Sequence, residues 1–190
     1  MAMLPAGLEA CTNLLDHFLL LVLLVWQESD GGILMTEKQS DNPHTDAINT
    51  VVKSLYKAVS CPAGGEPDWN TLRSLFHRDG FLIPSWRDTH SEPKVVSIDN
   101  FIKQSQAVLK ESDMSRRGFT EYQIHNRMER FGNIAHVMST YEFTFEDDRD
   151  KPMRGINSIQ LIYHQDRWWT MSILWDDERP ENPIPDEYLT

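Results

Sequence analysis

The sequence predicts an α+β domain in which three N-terminal helices pack on a strongly curved antiparallel sheet. Three observations predict it. Between Asp46 and Leu109, apolar residues recur at helical spacing in three separate blocks. After Gly118 the period changes to two and holds as far as Trp175. Two turns, Gly132-Asn133 and Gln165-Asp166-Arg167, divide that stretch into hairpins.

The first helix is expected over Asp46 to Ser60, with Ile48, Val51, Val52, Leu55, Tyr56 and Val59 on one stripe and Thr45 or Asp46 as its cap. Cys61-Pro-Ala-Gly-Gly-Glu-Pro67 breaks it. Asp68 caps a second, short helix carrying Trp69, Leu72, Leu75 and Phe76, which Arg78-Asp-Gly80 ends. Phe81-Leu-Ile83 reads as a short strand, and Ser85 to Val96 as a polar loop. Ser97 starts a third helix whose inner face is Phe101, Ile102, Ser105, Val108 and Leu109. The strands follow: Phe119 to Phe131, Ile134 to Phe145, Ile156 to His164 and Trp168 to Trp175, with a charged loop over Glu146 to Arg154. The predicted domain spans residues 45–176, between an N-terminal extension over 1–44 and an acidic, proline-rich arm over 177–190.

Composition narrows the function. With 40% hydrophobic and 10% aromatic residues the chain can bury a core. A net charge of -11 argues against nucleic acid, whose backbone is held by Lys and Arg, and against an anionic membrane surface. Cys11 and Cys61 stand alone, with no CxxC spacing, and read as free thiols. His125 and His136 share a strand face but lack a third ligand. No phosphate loop, GxSxG or HExxH is present. Neither a metal nor a cofactor is expected.

The first 34 residues contain no Lys or Arg, and Phe18 to Trp26 is an unbroken apolar run of nine. Three readings stand: translation beginning at Met35, an export signal, or a helix docked on the domain. A run this short does not span a bilayer, which takes about 20 residues of helix. The expected location is cytoplasmic, with export as the alternative if residues 1–34 are a signal.

Three segments carry a resemblance. Tyr56-Lys-Ala followed by Asp68-Trp-Asn-Thr-Leu-Arg-Ser-Leu-Phe-His-Arg-Asp-Gly80 resembles the second-helix region of the nuclear transport factor 2-like superfamily, which has a cystatin-like fold. Gly132-Asn-Ile-Ala-His-Val137 resembles its turn and strand, and Asp166-Arg-Trp-Trp-Thr-Met-Ser-Ile-Leu-Trp175 its closing strand. The resemblance covers residues 45–176 and implies a cone with a ligand pocket, often dimeric. Its members include polyketide-cyclase-like (SnoaL-like) proteins, ketosteroid isomerases, dehydratases and transport adaptors, so it implies a shape rather than an activity. In the isomerase branch's base and acid positions this chain has Pro84 and Ile159. Tyr56 alone matches.

The Gly132-Asn133 turn sets a register that turns Tyr122, Ile124, Asn126, Met128, Val137, Ser139 and Tyr141 inward. Glu121, Gln123, His125 and His136 then point out. In the second hairpin Asn157, Ile159, Leu161, Tyr163, Trp169, Met171, Ile173 and Trp175 form the inner set. No carboxylate falls on this inner face. The candidate ligand-binding residues are Tyr56, Trp86, Asn126, Ser139, Tyr141 and Asn157, amides, hydroxyls and an indole in an apolar cavity. His77 is a candidate base near the cavity mouth. The expected function is binding of a small hydrophobic ligand, with action on an apolar ring or acyl compound. The alternative is a non-catalytic dimerisation or accessory module. Ile162 and Leu174 among small polar residues on the outer face point to a homodimer through that face.

Overall fold

The computed structural model describes residues 43–85 and 92–190. The readings of the N-terminal extension, including the run Phe18 to Trp26, lie outside the described residues. Among the described residues no helix is long and apolar enough to cross a membrane.

Helix α1 (Pro43–Val59) begins at a proline, whose missing N–H is unneeded in a first turn. It buries Ile48, Val52, Leu55 and Tyr56 on one stripe. Asp68 caps α2 (Trp69–Leu75), accepting from the Thr71 backbone N–H at 2.9 Å. The helix ends sooner than its apolar spacing predicts, because strand β1 (Phe76–Ile83) begins at Phe76. Phe76 pairs with Thr170, and the residues up to Phe81 form a bulge. Gly80 sits inside it. A Cβ there would stand 2.9 Å from the Phe76 ring and 3.0 Å from the His77 carbonyl.

The expected polar loop ends in a two-residue strand, β2 (Val96–Ser97), whose Ser97 caps α3 (Ile98–Glu111). After the short α4 (Met114–Arg117) come β3 (Phe119–Phe131), β4 (Ile134–Phe145), β5 (Asp148–His164) and β6 (Arg167–Asp177). Most of the predicted charged loop is thus the start of β5. The sheet order is β2-β1-β6-β5-β4-β3. One pair departs from the antiparallel expectation: β1 runs parallel to β6, because the chain enters the sheet at β1 and returns to its side only with the last strand.

Two bulges shift the predicted facing. Gln123 pairs with Tyr141 and His125 with Thr140, so Ile124 is an extra residue on β3. Before it, Phe119, Glu121 and Gln123 lie on the inner side, while Tyr122 and Ile124 are 41% and 38% exposed. Gln160 pairs with Ser172 and Leu161 with Thr170, so Met171 is extra on β6. Trp168 and Thr170 therefore take the inner places predicted for Trp169 and Met171. The Trp169 ring packs edge-on to His77 and under the Arg167 guanidinium instead.

The core lies between α1, α2 and the inner sheet face. Trp168, Phe76, Ile48 and Leu72 are among its largest fully buried side chains. Helix α3 is different. Its Phe101 meets Trp175 edge-on, but Val108 farther along the same face is 53% exposed. Beyond β6, the chain folds back along the outer face. Thr140 Oγ1 donates to the Tyr188 carbonyl at 2.6 Å, and Arg127 pairs with Glu187 at 3.2 Å.

Candidate functional site

The end of α1 fixes the start of β3. Cys61 and Phe119 exchange backbone hydrogen bonds of 3.0 and 2.9 Å. Gly118, at φ +68°, lets the two segments touch: a Cβ there would lie 2.8 Å from the Ala63 Cα. Two residues on, the Glu121 N–H donates to Ser60 Oγ at 2.9 Å. These contacts hold the Glu121 backbone beside α1 and aim its side chain into the domain.

There it meets two adjoining cavities. The inner chamber, about 160 Å³, is walled by core residues such as Leu55, Leu72, Phe76, Leu82 and Ile159. The outer cleft, about 700 Å³, runs along the uncovered face of α3 past Ser105, Val108 and Leu109 to Met153 on β5. Val59, Phe101, Glu121, Tyr141 and Trp175 line both and form the junction between them.

A hydrogen-bonded row backs the junction. The Asn157 amide donates to Tyr56 Oη at 3.0 Å and stands near the Glu121 carboxylate. Tyr56 Oη shares a proton with Ser139 Oγ at 2.7 Å. Ser139 Oγ accepts from Gln123 Nε2 at 2.7 Å, and Gln123 Oε1 accepts from the Asn126 amide at 3.0 Å. On the other side Tyr141 Oη donates to Asp177 Oδ1 at 2.8 Å.

Electrostatics separate these groups. Burial pushes the Glu121 carboxyl up to about 7. The Asn157 amide opposes the rise, and the nearby Asp177 charge adds to it. Burial likewise pushes the Tyr56 hydroxyl up to about 12, which keeps its proton on. The Tyr141 hydroxyl is raised well above the ordinary phenol range, by burial first and then by its bond to the Asp177 carboxylate. A carboxyl near 7 is present in both protonation states at neutral pH, so it can accept a proton and return it.

Several expected site residues meet here. Tyr56, Tyr141 and Asn157 line the cavity, and Ser139 stands directly behind Tyr56. Asn126 does not reach the cavity; its amide is used by Gln123, which the Ile124 bulge turns inward. Trp86 lies outside the described residues. His77 takes no part: its Nδ1 accepts from the Asp79 N–H at 3.2 Å. His136 is bonded to Ser158 on the outer face, and among the described residues no cluster of metal-ligating side chains occurs. Burial raises the Cys61 thiol, which keeps it protonated.

The expectation of an inner face without carboxylates is overturned. Glu121 reaches the cavity because of the bulge, and Asp177 because β6 runs two residues past Trp175. Alternation alone extends from Trp175 to Asp177, so the second was within reach of the sequence. Nothing in the apolar pattern marked the bulge, since Tyr122 and Ile124 alternate as an inner face would.

Helices ahead of a curved sheet recur in solved structures. A cystatin-like protein of unknown function from Nostoc punctiforme superposes with a TM-score of 0.57 at 12% identity, over 72% of this chain and 92% of its own. The fold is nuclear transport factor 2-like. A nuclear transport factor 2-like protein of unknown function from Pseudomonas putida gives a TM-score of 0.56 at 8% identity, over 74% of this chain and 92% of its own. A protein of unknown function from Mycobacterium tuberculosis gives 0.55 at 11% identity, over 77% and 76%. At these identities the likeness is one of nuclear transport factor 2-like fold alone. No protein-family model matches the sequence, and no curated protein matches it.

Proposed function

We propose that the chain binds a small, largely apolar carbonyl compound and that Glu121 moves a proton on it. The carboxylate takes a hydrogen from the carbon next to the carbonyl. The C–H bond breaks, a carboxyl O–H forms, and the electron pair passes to the carbonyl oxygen. Tyr141 lines the same junction, with its hydroxyl proton given to Asp177. Return of the proton to the same or another carbon completes an exchange or an isomerisation. The observation that carries this reading is a carboxyl with a value near 7 at the edge of a largely apolar chamber that Tyr56, Tyr141 and Asn157 also line. Such chemistry fits the cyclase and isomerase members named by the sequence resemblance better than its transport adaptors.

A screen of apolar carbonyl compounds tests it. Binders are expected to raise the thermal midpoint, and their α-hydrogens are expected to exchange with deuterated water. Glu121→Gln should keep the midpoint shift and lose the exchange. Exchange that survives in Glu121→Gln removes the base from the reading.

We also propose that two copies associate through the part of the outer face that the C-terminal segment leaves open. Phe131 and Ile134 are 84% and 59% exposed there. With Phe81 and Ile162 they border a depression of about 580 Å³.

A further inference from the structure

We infer that the ligand is elongated and uncharged, with its carbonyl set one ring's width from one end. This rests on Glu121 acting as the base and says what kind of molecule reaches it. Glu121 and Tyr141 are not at the bottom of a pocket. They stand at the junction of two compartments, lining both. A compound whose reacting carbon lies beside Glu121 therefore has one part in the inner chamber and the rest in the outer cleft.

The chamber fixes the size of the first part. Its volume is about 160 Å³ with walls of Leu72, Phe76 and Ile159, and an engineered cavity of roughly 150 Å³ lined by such residues takes benzene. A single six-membered ring fills it. The cleft fixes the second part. About 700 Å³ beside the uncovered face of α3 accepts a long apolar chain or a further ring system.

Charge fixes the class. The cleft is lined by Glu121, Asp177 and Glu178, and Arg154 is the only cation among its described lining residues. That guanidinium is already bound to Glu178, at 2.8 and 3.3 Å. Among the described residues an anionic compound therefore meets no cation that is not already in an ion pair. An uncharged one needs none.

The test compares two isomeric ketones, 1-phenylnonan-1-one and 9-phenylnonan-2-one, with the full chain in deuterated water. Exchange of α-hydrogens is followed by NMR, and each rate is divided by the uncatalysed rate of the same ketone. In the first the carbonyl is next to the ring; in the second a methyl group takes the ring's place. The first should exchange with at least tenfold higher kcat/KM. Its analogue 9-oxo-9-phenylnonanoate, an anion at the chain end that lies in the cleft, should exchange at least tenfold more slowly than the parent. Ile159→Phe, which fills the chamber, should remove the advantage of the first isomer; where that variant fails to fold, the comparison in the unaltered chain decides. Equal Glu121-dependent exchange of the two isomers overturns the two-compartment ligand and leaves the base in place. Exchange of the anion at the parent's rate overturns the charge selection. Absence of Glu121-dependent exchange with every ketone overturns both this inference and the proposed function.

Discussion

Tyr141 on β4 donates its hydroxyl to Asp177 on β6 by crossing the strand between them. The crossing is at Gly155, which pairs with Tyr141 on one side and Asp177 on the other. A Cβ at Gly155 would collide with the Tyr141 hydroxyl and come within 2.6 Å of the Asp176 carbonyl. The glycine is thus the passage through which two strands that do not touch share a hydrogen bond.

Gly155→Ala is expected to destabilise the protein by about 1–3 kcal/mol, the usual cost of forcing a methyl group into a packed site. Urea denaturation measures it. In a Tyr141→Phe background the same change should cost less, since the hydroxyl that clashes is gone. The remaining cost comes from the ring carbon Cζ of residue 141 and the Asp176 backbone carbonyl, each 2.6 Å from that Cβ. Equal costs in the two backgrounds would place the conflict elsewhere.

The bulge at Met171 predicts an inequality between adjacent tryptophans. Trp168 is 2% exposed and packs on His44 and Tyr163. Trp169 is on the outer side, its Nε1 donating to the His164 carbonyl at 3.0 Å. Trp168→Ala should cost about 3–5 kcal/mol, as large-to-small core changes do, and Trp169→Ala about 2 kcal/mol or less. Chemical denaturation of the two variants checks it. The opposite order would restore the simple alternation.

These tryptophans also mark where the sequence stops being legible. The three helical stripes, the cap at Asp68, the cap at Ser97 and the Gly132-Asn133 turn are readable, because each depends on local spacing or on one side chain's reach. Three of the six expected ligand residues line the cavity for the same reason: Tyr56 lies on a helical stripe, and Tyr141 and Asn157 lie on strands where the alternation is unbroken. A bulge is a different kind of event. One extra residue reverses every facing on its far side while leaving the apolar pattern plausible. Ile124 did this to Glu121 and Gln123, so the carboxylate at the centre of the site was assigned to solvent.

The outer face gives a prediction about assembly. Analytical ultracentrifugation at high micromolar concentration should find a dimer, and Ile134→Glu should yield a folded monomer. A charge at Ile134 costs little in the free chain, where the residue is 59% exposed, and several kcal/mol in an apolar interface. The C-terminal segment limits where the partner sits, because Tyr188 and Glu187 already cover Thr140 and Arg127. A monomer at that concentration in the unaltered chain counts against the outer-face contact.

Glu121 links activity and stability to pH with opposite signs. Its carboxyl is raised from 4.5 to about 7 in the folded chain. Between those values the folded state keeps a proton that the unfolded state has released. Stability is therefore greatest with respect to this group below pH 4.5 and falls as pH rises to about 7, by about 3 kcal/mol. Asp68, Asp147 and Asp176 act the other way. Hydrogen bonds from Thr71, Arg117 and Arg179 respectively hold their carboxyls below the ordinary value of 3.8, so their contribution is lost only in stronger acid. The two effects occupy different pH ranges and can be read separately. Urea denaturation at pH 5 and pH 8 should find the unaltered chain less stable at pH 8. Glu121→Gln should flatten that difference and be the more stable protein at pH 8. Proton removal runs in the reverse direction, since only the ionised carboxylate accepts a proton. With a bound ketone, kcat/KM for α-hydrogen exchange should rise through about pH 7 and level above it. Loss of stability should level off at the pH where exchange is half-maximal, because one carboxyl controls both. A levelling of stability more than one pH unit from the midpoint of exchange, or a Glu121→Gln variant with an unchanged pH profile of stability, would assign the titration to another group.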